Sequence, residues 1–333
     1  GVKLTGISGT GTRTTQNAGN EINYTWGAQN NLYVIKMTGR HLININNVNM
    51  EYTGNSNSNY RSLFFTDSHN SEGGNSIGHQ WILDNKTKVT LKGQKIVLFS
   101  VQSHGTSGSS GMTNNGTINL DNSLANSGNR IVFTTLNDEI AGNVGRDFYF
   151  VNSSTGKITL SGTNDLLANF DTPGTVAGTG VRFENYGEIT LNGDSSKGIV
   201  VKPLKPTSKT TAGDTKIILS SPITLNGDNS IGIILNRQIN LGLSTLNFNI
   251  GTAVNDPTST GNSGANDPGL VEKAIGLYYN ITAPETLASS TLTNYNINFG
   301  DYAKDSTLFR IEKGNLILDN TNVSTINIGG ASG

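Results

Sequence analysis

The chain has 333 residues, including 41 Gly, 45 Asn, 7 Pro and no Cys. Its apolar fraction of 34% is low for a globular protein, but Ile, Val and Leu recur in short bursts that a disordered chain lacks. The net charge of −1 excludes the basic surface of a nucleic-acid-binding protein and any strong attraction to an anionic membrane.

The absence of Cys is compatible with a protein that avoids disulfides before crossing an outer membrane, and equally with a cytosolic protein. No apolar run approaches the roughly 20 residues of a membrane-spanning helix. The opening residues GVKLTGISGT contain no apolar signal-peptide core, so we expect a mature segment or an excised fragment.

Residues 1–35 have the least regular pattern, and we expect them to cap the structure that follows, unless both termini were cut from a longer stack. Both tryptophans and several tyrosines lie in the first quarter of the chain. Exposed aromatic rings can stack on sugars, although core filling accounts for most such residues. The aromatic candidates for ligand binding are Tyr24, Trp26, Tyr60 and Trp81, and the polar neighbours of Trp26 favour its exposure.

From residue 50 onward a short pattern repeats, apolar-x-apolar-x-Gly/Asn. It occurs in MEYTG (50–54), VTLKG (89–93), INLDN (118–122), ITLSG (158–162), ITLNG (189–193) and ITLNG (223–227), and more weakly in LNFNIG (246–251) and INFGD (297–301). Period-two alternation is typical of strands, so Ile189 and Leu191 should point inward while Thr190 and Asn192 point outward. The uneven spacing of the copies favours coils of constant cross-section carrying loops of varied length.

The predicted fold is all-β, a single-chain parallel β-solenoid over residues 1–333. Strands about 4.8 Å apart, with about 25–30 residues per coil, predict about 11–13 coils in a rod about 55 Å long. Asn residues at matching corners are expected to stack into side-chain amide ladders. Residues 267–280, DPGLVEKAIGLYYN, begin like a short helix, but AIGLYY favours another strand.

Three stretches are predicted to protrude as loops, because each interrupts the repeating pattern. Residues 103–113 are rich in Gly and Ser, residues 202–214 are stiffened by two prolines, and residues 255–269 lack an apolar anchor. The second loop contains Lys202, Lys205 and Lys209, which are further candidates for ligand contact.

One motif resembles a catalytic site. Gly193-Asp194-Ser195-Ser196 is close to a serine-protease nucleophile loop, but the sister copy has Asn229 where Ser195 stands, which favours a turn. The histidines, which are His41, His69, His79 and His104, lack metal-binding spacing. The sequence identifies no close pair of carboxylates among Asp138, Glu139, Glu184 and Glu188. We favour the interpretation that they are solvated surface charges. We expect no catalytic residue, no metal and no cofactor.

ENYGEITLNGDSSKGIVV and SSPITLNGDNSIGIIL resemble the repeats of type V (classical) autotransporter passengers, especially those of the large fusobacterial outer-membrane adhesins. NNGTINLDN and STGKITLSGTND match the first half of that repeat, and the similarity is clearest over residues 114–235. The resemblance implies a right-handed β-helix that is secreted through, and anchored by, a C-terminal barrel of its parent chain. Such passengers are displayed on Gram-negative cells, and binding is usually attributed to their loops and N-terminal part.

The sequence therefore favours an adhesin segment displayed at the cell surface or secreted. Its expected partner is a host-cell glycan, a host protein receptor or the surface of another bacterium, with no nucleic acid, and the segment is expected to be monomeric. Two alternatives remain, a β-helical polysaccharide lyase or hydrolase and a passive stalk of a longer adhesin. Deletion of residues 202–214 should weaken attachment without unfolding the rod.

Overall fold

The computed structural model describes residues 13–16, 21–25, 33–38, 42–55, 61–68, 80–103, 110–121, 127–135, 148–170, 181–203, 215–252, 270–281, 289–319, 322 and 324–328. These residues form an all-β structure in which the one helical element is the 3-10 turn Leu241–Leu243. None of their helices is long and apolar enough to cross a membrane. All pairings among the described strands are parallel.

Three ladders contain most of the strands, which are numbered in chain order. The first ladder contains β1 (Arg13–Gln16), β4 (Leu42–Ile45), β7 (Gln80–Leu83), β10 (Ser110–Asn114), β13 (Phe148–Asn152), β16 (Val181–Asn185) and β19 (Lys216–Leu219). The second contains β2 (Glu21–Thr25), β5 (Asn49–Asn55), β8 (Lys88–Gln94), β11 (Thr117–Leu120), β14 (Lys157–Leu160), β17 (Glu188–Leu191), β20 (Ile223–Leu225), β22 (Thr245–Ile250), β26 (Asn294–Phe299) and β30 (Thr325–Ile328). The third contains β3 (Tyr33–Thr38), β6 (Arg61–Ser68), β9 (Ile96–Ser103), β12 (Arg130–Thr135), β15 (Leu166–Phe170), β18 (Lys197–Val201), β21 (Ile231–Leu235), β24 (Ile275–Asn280) and β28 (Thr307–Lys313). Two short pairs complete the set, β23 (Val271–Glu272) with β27 (Ala303–Lys304) and β25 (Ser289–Leu292) with β29 (Asn315–Leu318).

Successive strands of each ladder come from successive turns of the chain, so the chain winds into stacked coils. This arrangement is consistent with a parallel β-solenoid. Over the described ranges the second ladder has ten strands, where the sequence predicted about 11–13 coils. Some coils are longer than the sequence predicted, because they carry inserted loops. Ile223 pairs with the nearby Phe248 in the next coil, but Phe248 pairs with Ile297, which is much further along the chain.

One continuous apolar core runs through the stack from Ile43 to Ile297. The predicted alternation is confirmed in β17, where Ile189 is 1% exposed and Leu191 is fully buried, while Thr190 between them is only partly covered. Burying one such side chain contributes about 1.5–3 kcal/mol, so the few inward residues of one coil stabilise it only against its neighbours.

A column of left-handed backbone residues forms one corner of the stack. Its members are Lys95, Gly128, Asn164, Ser195, Asn229, Lys273 and Asp305, with φ between 50° and 62°. The N–H of Ser195 donates to the carbonyl of Asp228 at 2.7 Å, and the N–H of Asn229 donates to the carbonyl of Glu272 at 2.8 Å. Equivalent bonds join neighbouring coils along the column, so this corner links each coil to the next.

The remaining sequence predictions about local structure have mixed outcomes. IGLYY, the last five residues of AIGLYY, lies in strand β24, as favoured over a helix. In the proposed cap, β1 and β2 extend two of the ladders, and the other residues of 1–32 are outside the described set. The predicted loop 103–113 is too long, because residues 110–113 belong to β10. Residues 104–109, 204–214 and 255–269 are outside the described set.

Candidate functional site

The outer face of the first ladder carries a row of side chains that sequence reasoning missed. Gly111, Tyr149, Arg182 and Lys216 lie at paired positions on β10, β13, β16 and β19. The residues that alternate with them along these strands, such as Phe150 and Phe183, point into the core. The Tyr149 ring lies directly over Gly111, because a Cβ placed there would overlap the ring atoms. Gly111 therefore provides the space in which the ring lies flat on the sheet.

Arg182 is held by a ring and a carboxylate. Its guanidinium carbon lies 5.4 Å from the centroid of the Tyr149 ring, within the range of a cation–π contact. Its Nε forms an ion pair with Oε1 of Glu184 at 3.1 Å. The hydroxyl of Tyr186 donates to the other oxygen, Oε2, at 3.2 Å. We call Tyr149, Arg182, Glu184 and Tyr186 the Tyr-Arg cluster.

The exposure of the Tyr-Arg cluster is uneven. The side chains of Arg182 and Glu184 are 44% and 14% exposed, and Tyr186 is 41% exposed. Burial raises the pKa of Tyr149, and the positive charge of Arg182 opposes that change. Burial and the nearby Glu184 carboxylate also raise the pKa of Tyr186. Both phenols therefore stay protonated at neutral pH, and the cluster presents a cation beside an exposed aromatic ring.

A similar arrangement lies on the third ladder. Arg310 is positioned over Tyr278, with its guanidinium carbon 5.6 Å from the ring centroid, and its Nη2 donates to Oε1 of Glu312 at 2.7 Å. As in the Tyr-Arg cluster, Tyr and Arg are paired on adjacent strands and Glu follows Arg by two residues. The two arrangements lie on different ladders.

The sequence-predicted binding residues are not part of this cluster. Trp81 is 3% exposed and packs against Phe64 and Phe99, at centroid distances of 4.6 and 5.8 Å. Its ring faces are thus covered by the core, and its prediction as a sugar-stacking residue is corrected. The alternation in QWIL explains this, because Trp81 shares the inward face with Leu83.

The other candidates are only partly described. Tyr24 lies in β2, paired with Tyr52 of β5. Lys202 follows β18, is partly buried and donates its backbone N–H to the carbonyl of Phe170 at 3.0 Å. Trp26, Tyr60, Lys205 and Lys209 lie outside the described residues.

The residues considered for catalysis have these positions. Ser195 occupies the same left-handed corner as Asn229, which supports its interpretation as a turn residue. Glu188 forms an exposed ion pair with Lys157 at 3.3 Å, whereas Glu184 is largely covered by the cluster and is not a solvated surface charge. The four histidines, Asp138 and Glu139 lie outside the described residues. Within the described residues, no group of three His, Asp or Glu side chains could hold a metal ion.

A signal for the Tyr-Arg cluster does exist in the sequence. FYFVN (148–152) and VRFEN (181–185) share Phe and Asn at matching places, and aligning them puts Tyr149 opposite Arg182. Both stretches fit the apolar-x-apolar-x-Gly/Asn pattern, although the sequence prediction did not include them among its copies. Comparisons with protein families, curated proteins and solved structures found no match to this chain.

Proposed function

We propose that this chain is an adhesive segment of a Gram-negative autotransporter passenger, displayed at the cell surface or secreted. The observation that carries the proposal is the Tyr-Arg cluster, an exposed cation and an exposed aromatic ring on the outer face of a stacked sheet. Arginine and tyrosine are the residues that most often dominate binding surfaces. The repeat resemblance adds the setting, a rod that places such a surface away from the cell.

Rigidity supports the proposal. Tyr149 lies on Gly111, Arg182 lies on Tyr149, and Glu184 forms an ion pair with Arg182 and accepts a hydrogen bond from Tyr186. A site whose side chains are already fixed loses little conformational entropy when a ligand binds. Many copies on one cell then strengthen weak individual contacts.

We further propose that the coils wind as a right-handed β-helix with protruding loops. Connections between parallel strands of one sheet are right-handed in the great majority of proteins. The partner is a host-cell glycan, a host protein receptor or the surface of another bacterium, and the segment acts as a monomer.

Coated beads provide a direct test. Beads that carry the purified chain should attach to epithelial cells or to partner bacteria, and beads that carry the Arg182→Ala variant should attach less. The Arg310→Ala variant is the matched control, because it removes the same residue type from the similar arrangement on the third ladder. The variant lacking residues 202–214 tests the lysine loop separately. If wild-type beads attach to neither cell type, the segment is a passive stalk.

A second candidate is a polysaccharide lyase or hydrolase, since Arg182, Glu184 and two tyrosines share one outer face. Enzymes of this type need basic and acidic groups beside the substrate. Incubation with a polysaccharide panel separates the two functions. Turnover of any polymer that is lost in Glu184→Gln would replace adhesion with catalysis.

A further inference from the structure

We propose that the Tyr-Arg cluster, together with Lys216, binds a carboxylate-bearing sugar residue of an acidic polysaccharide. The carboxylate would lie between Arg182 and Lys216, and the sugar ring would pack against Tyr186. This assignment of a ligand class rests on the adhesive function proposed above.

The first argument is the placement of two cations. Arg182 pairs with Lys216 in the register of β16 and β19, so both side chains emerge on the same face of adjacent strands. Neighbouring strands are about 4.8 Å apart, and one carboxylate can contact both cations at that separation. Lys216 is partly buried, and a lysine of this kind packs its apolar stem on the surface while its amine stays in water.

The second argument is the orientation of the guanidinium. Its contact with Glu184 uses Nε, and the Tyr149 ring covers one face. The two Nη nitrogens still present the end-on pair of donors, in the fork that matches the two oxygens of a carboxylate. The stacked ring and the Glu184 carboxylate fix this fork before a ligand arrives.

The third argument is charge, which favours a monoanion. Arg182 and Lys216 bring two positive charges and Glu184 brings one negative charge, so a single positive charge remains in the group. A carboxylate balances that charge, whereas a phosphate monoester carries up to two negative charges at pH 7 and would be repelled by Glu184.

The fourth argument is the exposed ring of Tyr186, which distinguishes a sugar from a small anion. Tyr186 is 41% exposed although its hydroxyl is engaged by Glu184. The hydrogen bond therefore holds the ring on the surface, where an apolar sugar face can pack on it. A free inorganic anion would gain nothing from this ring.

The test measures binding of polygalacturonate, a polymer of carboxylated sugars, to the purified chain by calorimetry. Fully methyl-esterified polygalacturonate is the matched neutral polymer. We expect the wild type to bind the acid and not the ester. Arg182→Ala should weaken binding by about tenfold or more, because a charge-assisted contact is lost. Arg182→Lys should also weaken it, since Lys lacks the planar fork.

Two further variants give the test its specificity. Tyr186→Ala should weaken polygalacturonate binding several-fold, because the sugar face loses the ring on which it packs. Arg310→Ala should change nothing, and it controls for general attraction of a polyanion to the surface. Circular dichroism of each variant establishes that its fold is retained.

Several results would overturn the assignment. They are equal binding of the acid and the ester, equal losses in Arg182→Ala and Arg310→Ala, displacement by millimolar phosphate, and no binding of the acid by the wild type. If beads attach to cells and polygalacturonate does not bind, the adhesive function survives and the ligand class fails. If polygalacturonate binds and beads attach to no cell, the ligand class survives and the adhesive function fails.

Discussion

The side-chain amide of Asn152 donates to the side-chain oxygen of Asn185 across 2.8 Å, and both residues are fully buried. Asn114, in the coil before, donates to Asn152 in the same way at 2.8 Å. Asn185 in turn donates to the carbonyl of Ser221 at 2.9 Å. These side-chain hydrogen bonds join neighbouring coils in addition to the backbone hydrogen bonds of the ladder. They lie at the ends of the first-ladder strands, where the chain turns into the corner.

Substitution of Asn152 tests the contribution of this ladder to stability. Asn152→Ala leaves a donor of Asn114 unpaired in the core, and it leaves Asn185 Oδ1 with only the longer contact from the Gly187 N–H at 3.3 Å. Each unpaired buried group costs about 1–3 kcal/mol. We expect the free energy of unfolding in urea to fall by about 2–4 kcal/mol. Asn119→Ala, on the outer face of β11, is the control and should change stability by less than about 0.5 kcal/mol. Equal losses in the two variants would show that the ladder adds nothing.

The sequence predicted the features that depend on one coil. Period-two alternation placed Ile189 and Leu191 inward, and the match between Ser195 and Asn229 identified a shared corner. The expected amide contact exists between the ITLNG copies, where the side-chain amide of Asn226 donates to Oδ1 of Asn192 at 3.2 Å. A second amide ladder, formed by Asn114, Asn152 and Asn185, lies at the ends of the first-ladder strands. Features that are repeated with the same residue types can be recognised without coordinates.

Features that depend on the register between coils were not predicted. Tyr149 and Arg182 are separated by an insertion of irregular length, and only their pairing in β13 and β16 brings them together. Trp81 was a candidate because exposed aromatic rings can stack on sugars, yet the packing of Phe64 and Phe99 against it required knowledge of three strands. Irregular loops conceal these relationships, because sequence distance then says little about which residues stack.

The left-handed corner gives a prediction about Ser195, whose φ is 56°. A left-handed backbone costs residues with a Cβ about 1–2 kcal/mol, and it is least favourable for β-branched residues. We expect Ser195→Val to lower the free energy of unfolding by about 1–2 kcal/mol and Ser195→Gly to change it by less than about 1 kcal/mol. Thr190→Val, in an extended strand, is the control. A Val variant as stable as the Gly variant would contradict the observed φ.

Asp165 predicts how stability depends on pH. It is fully buried and accepts hydrogen bonds from Ser127 Oγ at 2.7 Å, Asn129 N at 2.8 Å and Gly162 N at 3.0 Å. Burial raises the pKa of its carboxyl from 3.8 to about 7, and these hydrogen bonds oppose the change only in part. The native state thus keeps a proton that the unfolded chain loses above its ordinary pKa.

Stability should therefore fall as pH rises from 3.8 towards 7, with a slope of up to about 1.4 kcal/mol per pH unit from this group. Asp165→Asn should lose this part of the slope, because its amide does not titrate. The variant should also be less stable at low pH, since its NH₂ group would face the N–H of Gly162. Urea unfolding of both proteins at several pH values measures the difference, from which the contribution of Asp228, whose pKa is also raised by burial, cancels because it is present in both proteins. Parallel curves would show that Asp165 titrates normally.

The last strands of the second ladder predict how stability varies along the stack. Ile297 in β26 is fully buried, and Ile326, its partner in β30, is 44% exposed. Both isoleucines occupy the inward position of their strands, but Ile326 has a described coil on one side only. Ile297→Ala should cost about 2–5 kcal/mol of unfolding free energy, and Ile326→Ala should cost less than half as much. Urea unfolding at several protein concentrations checks both values. Equal costs would mean that Ile326 is covered in solution, and a concentration dependence would then identify a second molecule as the cover.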